Sequence, residues 1–384
     1  MGRSMERCSA CVLPLNLVKH NRHNVCIHCQ NHQRQGPPEW EKRRENLRAI
    51  IESFDGKGKR YDFLVPITGG KDSTYVLYYL TQVLGRSRVL TFTWDHLFHR
   101  PASWTNMKNA VRAAGVDFYV FRILDEDTTR AVHRGFFRIF GHPCVSCFML
   151  RDAIIMNEAI HNEIPLIVTG ANTGQARRRG TYDHPGARSP VREAKERMGT
   201  ISNFLRKAVN LEMPNRSKEI EAKTIGGVLK GMNQRDFSWP HYVDLGAFVD
   251  WYREEEGALL KVLGNTLHFQ KASHTITHTS CWLERIRGYL EINMERLIIP
   301  RYAVEISSLV RDGVLTREEA LLEFEKFGMT GSLPEETQDY LREVGLTGEE
   351  FNRRLGMPLP WSVKIHFARV NAFRALRRLL SKEG

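Results

Sequence analysis

Short apolar runs alternate with longer amphipathic stretches through the first half of the chain. Phe63-Leu64-Val65-Pro66-Ile67 has no helical period and predicts a buried strand. Residues 88–93 predict a second strand that ends at Trp94, Asp95 and His96. Residues 117–122 predict a third and residues 164–170 a fourth. Between them lie helical patterns over 40–54, from Ser73 onward with Val76, Leu77 and Leu80 in phase, over 104–114 and over 148–161. Strands alternating with helices predict an α/β fold whose parallel sheet is covered on both faces, with ligands at the C-terminal ends of its strands. That crest would collect Thr68, Gly69, Gly70, Lys71, Asp72 and Ser73, together with Asp95 and residues 170–175.

Beyond residue 175 the pattern is less regular. Arg177, Arg178, Arg179, Arg188, Arg192, Lys195, Glu196 and Arg197 make residues 175–240 a polar, basic region, expected to be a solvated face or mobile lid; a substrate-phosphate clamp is the alternative. From Pro240 the chain reads as helical. His274, His278 and Cys281 are spaced along one helix face, as packing histidines or as a His/Cys metal site. Short helices are expected over 302–311, 316–327, 334–344 and 347–355, with Thr316 and Glu319 as a capping box and Thr347 and Glu350 repeating it. In 363–380, Ile365, Ala372, Phe373, Leu376, Leu379 and Leu380 share one side of a basic amphipathic helix, expected to pack on the main domain. The organisation expected is therefore a small cysteine-bearing unit at 1–35, a sheet domain at 36–240 and a helical region at 241–384.

Composition narrows the chemistry. No apolar run approaches the roughly 20 residues of a membrane helix, and the first residues show no signal-peptide core, so a cytoplasmic protein is expected. A net charge of +12 suits a polyanionic partner or substrate such as RNA, a nucleotide-linked compound or ATP. Seven cysteines in a reducing compartment point to metal or redox chemistry. Cys8, Cys11, Cys26 and Cys29 form a C-x2-C-x14-C-x2-C set, which closes a tetrahedral shell around Zn2+ and reads as a zinc ribbon. Cys144 and Cys147 form another C-x2-C at a helix start, where thiol pKa values are expected to fall. With Cys281 they would give three thiolates and an open fourth position, as in a catalytic metal site or a [4Fe–4S] cluster with one free iron. The other reading is a buried apolar pair with an unrelated Cys281.

At residues 68–73 the chain passes from the first strand through two glycines into a helix. Gly69 and Gly70 permit a sharp turn and close approach to a ligand, the helix start offers free N–H groups, and Lys71 adds a positive charge. Asp72, beside the anion so held, is a candidate Mg2+ ligand. The spacing is not that of a Walker A motif. It resembles the S-G-G-x-D-S PP-loop of ATP pyrophosphatases, with Thr68 keeping the first hydroxyl.

Across nearly the whole chain the order of features resembles the N-acetyl sugar amidotransferase family of bacterial surface-polysaccharide (lipopolysaccharide) biosynthesis. The likeness is carried by CSACVLPL with NVCIHC, ITGGKDSTYVLYYL, CVSCF with IPLIVTG, and RDGVLTREEALLEFEK with YLREVGLTGEEF. Gly170-Ala171-Asn172 departs from it where a glycine and an acidic residue are expected, as does the arginine-rich 177–197 stretch. The resemblance implies a Rossmann-like PP-loop domain that uses ATP and Mg2+ to adenylate an acetamido oxygen on a nucleotide-linked sugar, after which ammonia displaces AMP to leave an acetamidino group. Residue 2 is Gly and no cysteine has a glutaminase context, so ammonia is expected from a separate glutaminase subunit. PP-loop thiolases of tRNA or nucleobases supply the alternative: Cys144, Cys147 and Cys281 would carry sulfur from a donor, and the charge would suit tRNA. A third reading, a zinc-ribbon nucleic-acid-binding protein with a degenerate ATP fold, conflicts with the intact GGKDS.

Overall fold

The computed structural model describes residues 6–34, 39–171, 173–179, 185–189, 191–249, 256–270, 281–293, 301–326, 333–358, 360, 361 and 363–365. Five parallel strands form one sheet: β1 Phe63–Pro66, β2 Val89–Trp94, β3 Asp117–Phe121, β4 Leu166–Thr169 and β5 His241–Asp244. Their order is β3-β2-β1-β4-β5. The chain thus builds outward from β1 to one edge, then returns to the other side of β1, and Phe63 pairs with both Val89 and Leu166. The reversal lies between β1 and β4, the place where open α/β sheets bind ligands.

The unbroken apolar character of β1 follows from burial on both faces. Phe63 and Val65 pack with α2 (Trp40–Phe54), α3 (Lys71–Tyr78), α4 (Pro101–Ala114) and α10 (Glu256–Leu267). Leu64 points the other way, into a core made with α5 (Glu126–Phe140), α6 (Val145–His161), α8 (Val191–Glu212) and α9 (Ser217–Met232). The short α7 (Thr173–Arg179) follows β4.

Three features depart from the sequence expectation. The 175–240 region is not a lid: most of it is α8 and α9. Ala194, Met198, Ile201, Leu205 and Ala208 recur at three- and four-residue intervals and bury one face of α8, which the surrounding charges had masked. Residues after Pro240 begin with β5 rather than a helix, so the sheet extends beyond residue 240. Arg188 then exchanges both backbone hydrogen bonds with Tyr242, at 2.9 and 2.8 Å, and shields part of this edge. Helix α5 was not assigned, although the Asp125 carboxylate caps it by accepting from the Thr128 amide at 2.6 Å.

The N-terminal unit carries α1 (Ile27–Arg34) and two antiparallel bridges, Arg7 with Pro14 and His20 with Cys26. The C-terminal helices are α11 (Glu284–Asn293), α12 (Arg301–Arg311), α13 (Arg317–Lys326), α14 (Glu336–Val344) and α15 (Gly348–Gly356). The Thr316–Glu319 capping box forms with both bonds, 2.8 and 3.1 Å. Thr347 caps α15 through the Glu350 amide at 3.1 Å. His274, His278 and nearly all of the expected 363–380 helix lie outside the described residues. Among the described residues no helix is long and apolar enough to cross a membrane.

Candidate functional site

The loop after β1 is held in shape by its own side chains. The Ser73 hydroxyl accepts from the Thr68 amide at 3.1 Å, lies 3.2 Å from the Thr68 hydroxyl and donates to the Gly70 carbonyl at 3.2 Å. Gly69 has φ +70°, and a Cβ there would stand 2.1 Å from the Ser103 carbonyl oxygen on α4. Only glycine satisfies both demands. From the same helix, buried Asn106 donates to the Gly69 carbonyl at 3.0 Å and to the Gln270 carbonyl at 2.8 Å. Gly170, at the end of β4, presses on the start of α3: its Cβ would lie 2.8 Å from the Asp72 carbonyl carbon and 2.9 Å from the Ser73 amide. Lys71, Asp72 and Ser73 therefore open α3 at the sheet's reversal point, where the positive end of the helix dipole favours an anion. Lys71 is buried, with its Nζ 3.1 Å from Asp72 Oδ1.

Asp95 reaches the same crest from β2. It is buried, and its carboxylate accepts from Arg122 Nε at 3.0 Å and from the Leu97 amide at 3.2 Å. Asn106 was not anticipated. Its signal was a polar residue on the apolar face of α4, in phase with buried Ser103, Met107 and Ala110.

The structure gathers the three remaining cysteines at one end of this crest. Cys144 stands at the N-cap position of α6, without a capping side-chain bond, in an apolar cluster with Phe98, Phe137, Leu283, Tyr340 and Phe351, against which Cys281 packs. Cys281 forms an antiparallel bridge with His99. Burial pushes the Cys147 thiol up to about 12 and the Cys281 thiol well above its ordinary value, the latter raised further by Glu284, Cys144 and Cys147. This reverses the lowered pKa expected at a helix start: removal from water outweighs the dipole. His96, named at the end of the second strand, is joined along the same wall by three further histidines. His133 Nδ1 is 2.6 Å from the Ser146 hydroxyl, the His96 and His99 rings are 4.1 Å apart, and His142 Nδ1 accepts from the Cys144 amide at 3.1 Å. Burial holds His133 down at about 3 and His96 well below its ordinary value.

Cys8, Cys11, Cys26 and Cys29 are all buried, with their four sulfurs within 4.8 Å of one another. Among the described residues no other histidine, cysteine or carboxylate group meets that spacing. Cys8 and Cys29 sulfurs are 3.9 Å apart, and those of Cys11 and Cys26 3.8 Å. A tetrahedral ion with metal–sulfur bonds near 2.3 Å has ligand edges of about 3.8 Å, so the donor set fits one metal ion. The Cys26 amide donates to Cys8 Sγ at 3.2 Å, and Arg311 Nη1 lies 3.8 Å from Cys11 Sγ. Hydrogen bonds from the Cys26 and Cys29 thiols hold the Cys11 thiol far below its ordinary value, while the bond to Cys11 raises Cys26 to about 11. Four thiolates at this spacing repel one another unless a cation sits between them. Arg317 Nε donates to the Cys8 and Cys11 carbonyls at 3.3 and 3.2 Å, and the unit packs on Ala303, Ile306, Leu309 and Ala320 of α12 and α13.

No protein-family model matches the chain. The protein MJ1599 of Methanocaldococcus jannaschii is 24% identical over 349 residues, covering 88% of this chain and 99% of that protein. Among solved structures, the U34-tRNA thiolase NcsA of Methanococcus maripaludis, with its [4Fe–4S] cluster, aligns with 90% of this chain and 98% of its own, at 13% identity and TM-score 0.35. The NH3-dependent NAD synthetase of Campylobacter jejuni, in complex with nitrate, aligns with 78% of this chain and 99% of its own, at 13% identity and TM-score 0.34. Identities and TM-scores this low transfer no residue roles to this chain.

Proposed function

We propose that this protein is an ATP-dependent enzyme of the PP-loop type that adenylates an amide oxygen and replaces it with ammonia, converting an acetamido sugar to its acetamidino form. The observation that carries the reading is the Thr68–Ser73 loop, closed by Gly69 against Ser103 and by Gly170 against Asp72 and Ser73, so that backbone fills the space any Cβ would take. The Gly69, Gly70 and Ser73 amides, the two hydroxyls and Lys71 would grip the β- and γ-phosphates. With pyrophosphate so held, the amide oxygen attacks the α-phosphorus in line, an O–P bond forms, and pyrophosphate leaves. Ammonia then adds to the activated carbon, loses a proton, and AMP departs with the original oxygen. Asp72 would hold Mg2+, which supplies charge neutralisation at the departing pyrophosphate. Lys71, which neutralises Asp72 in this structure, is then left to the phosphates.

The Cys8, Cys11, Cys26 and Cys29 cluster is assigned as a structural zinc site. Ammonia would come from a separate glutaminase subunit. The nitrogen reading is supported by the segments with the most distinctive resemblance. One supplies Arg311 and Arg317 to the cysteine-rich unit; the other supplies Tyr340 and Phe351 to the wall around Cys144.

One observation favours a second reading, sulfur transfer to a tRNA base or nucleobase: the fold brings Cys281 to Cys144 and Cys147 across more than 130 residues of sequence. The two readings part in a single assay. Purified protein with ATP–Mg2+ and a nucleotide-linked acetamido sugar is given ammonium or sulfide, and the product is weighed by mass spectrometry. An amidine formed from ammonium, with AMP and pyrophosphate in equal amounts, is expected. A thioamide, or turnover that needs sulfide, would overturn the nitrogen reading; absence of AMP with either donor would overturn both.

A further inference from the structure

Next to the loop is a polar recess with no assigned role. After Asp95 the chain runs through Phe98 and His99 to Arg100, which stands at the N-cap of α4 ahead of Pro101. Residues 281 and 282 fold back along this segment: Cys281 bridges His99, and the Trp282 amide donates to the Phe98 carbonyl at 3.1 Å. The Trp282 indole meets the Phe98 ring edge-on, with centroids 5.2 Å apart and planes at 89°. This pairing sets Trp282 and Arg100 together in the lining of a cavity of about 500 Å3, completed by Arg130 of α5 and by acidic and basic residues of α14. A cavity of that size lies within the range of small-molecule sites.

The recess lining carries three arginines and three acids, but not every one of these groups is paired within it. Glu336 accepts from Arg285 at 2.9 Å, Asp339 from Arg342 at 3.0 Å, and Glu343 is 3.0 Å from Arg130. Arg100 has no such partner among the described residues, and its Nε is buried without a hydrogen bond. A guanidinium left unpaired beside an aromatic ring is a standing demand for an anion, and phosphate meets it in fork geometry. The α4 N-terminus adds its positive dipole end at the same place.

We propose that this recess holds the acceptor, a nucleotide-linked sugar: Arg100 binds one phosphoryl group, Trp282 stacks a ring, and the α14 carboxylates accept from sugar hydroxyls. The assignment of the occupant as acceptor rests on the adenylating reading. Its support is proximity along α4: Ser103 and Asn106, which hold Gly69, lie one and two turns beyond Arg100. Three acids in the lining, one of them Glu336 with a buried oxygen that has no partner among the described residues, disfavour a polyanion and suit a small phosphate ester that also brings hydroxyl donors.

The test is calorimetric titration of the full chain, wild type and the variants Arg100→Met, Arg100→Lys and Trp282→Leu, with UDP-N-acetylglucosamine, with bulk tRNA and, separately, with ATP–Mg2+. UDP-N-acetylglucosamine should bind wild type and weaken by about tenfold or more in Arg100→Met and Trp282→Leu, the loss expected of a charge-assisted pair or a buried stack. Arg100→Lys should recover part of the affinity, and ATP should bind all four proteins alike. Equal sugar-nucleotide affinity across the set, no binding to wild type, competition by ATP, or Arg100-dependent binding of tRNA alone would each overturn the assignment. Loss of ATP binding in wild type, with Arg100-dependent sugar-nucleotide binding intact, would sink the adenylating reading and leave the recess standing.

Discussion

Gly170→Ala tests the loop geometry directly. The added methyl would stand 2.8 Å from the Asp72 carbonyl carbon, 2.9 Å from the Asp72 carbonyl oxygen and 2.9 Å from the Ser73 amide. Carbon atoms in contact rest about 3.5–4.0 Å apart, so the start of α3 and the end of β4 must separate by roughly 0.7 Å or more. All three contacts are backbone, and no side-chain rotation can absorb them. Overpacking of this kind costs about 1–3 kcal/mol. It also moves Asp72 and Ser73 relative to Thr68, and displacement of reacting groups by about 1 Å costs on the order of 100-fold in rate. Acceptor-dependent AMP formation should therefore fall by about 10- to 100-fold, with weaker ATP binding and a melting point lower by a few degrees. Gly199→Ala is the control. It lies inside α8 with nothing within 4 Å of its Cβ position, so the same change should leave turnover intact and add about 0.5–1 kcal/mol of stability. A Gly170→Ala protein with wild-type ATP affinity and turnover would refute the seating of the loop against β4.

Asp72→Asn and Ser73→Ala should leave the circular dichroism spectrum and melting point near wild type while abolishing AMP formation; near-normal turnover in both would remove the PP-loop assignment. Cys8→Ser, or a strong chelator, should release about one zinc per chain by metal analysis. Proteolysis should then open both the cysteine-rich unit and α12–α13, which it packs on, while the sheet domain stays resistant; a wild-type chain that carries no zinc contradicts the site. Burial lowers the pKa of His133 to about 3 from an ordinary 6.5, so the unfolded chain takes up a proton that the folded chain refuses. This contribution is complete above about pH 6.5 and is lost as pH falls toward about 3, at up to about 1.4 kcal/mol per pH unit. Urea midpoints should decline on acidification, and His133→Asn should flatten that decline; parallel slopes would show that His133 is protonated in the fold.

How much the sequence reveals depends on whether the signal is local. The central strands β1, β2 and β4 carry apolar runs because both faces are covered, and they lie within two residues of the expected spans. The loop was legible because glycines, lysine and hydroxyls adjoin in sequence as they do in space. β5 was not: His241-Tyr242-Val243-Asp244 is four residues long, and only pairing with β4 makes it a strand. Helix α8 did hold a helical period, but it was set among charges that drew attention to solvent. The recess of Arg100 and Trp282 was invisible because its halves are nearly two hundred residues apart and meet only when residues 281 and 282 pair with 98 and 99.

The docking of the cysteine-rich unit on α12 and α13 carries a consequence for the newborn chain. Arg311 reaches Cys11 across 300 residues. At a synthesis rate of about 5–20 residues per second, the four thiols leave the ribosome some 15–60 s before the helices that will cover them. Closing so long a loop costs several kcal/mol of chain entropy before any contact repays it. During that interval the unit has no apolar partner, and metal alone would keep its thiols from oxidation and its backbone from wandering. Metal supply during translation, more than metal affinity of the finished protein, would then limit how much folded protein a cell obtains.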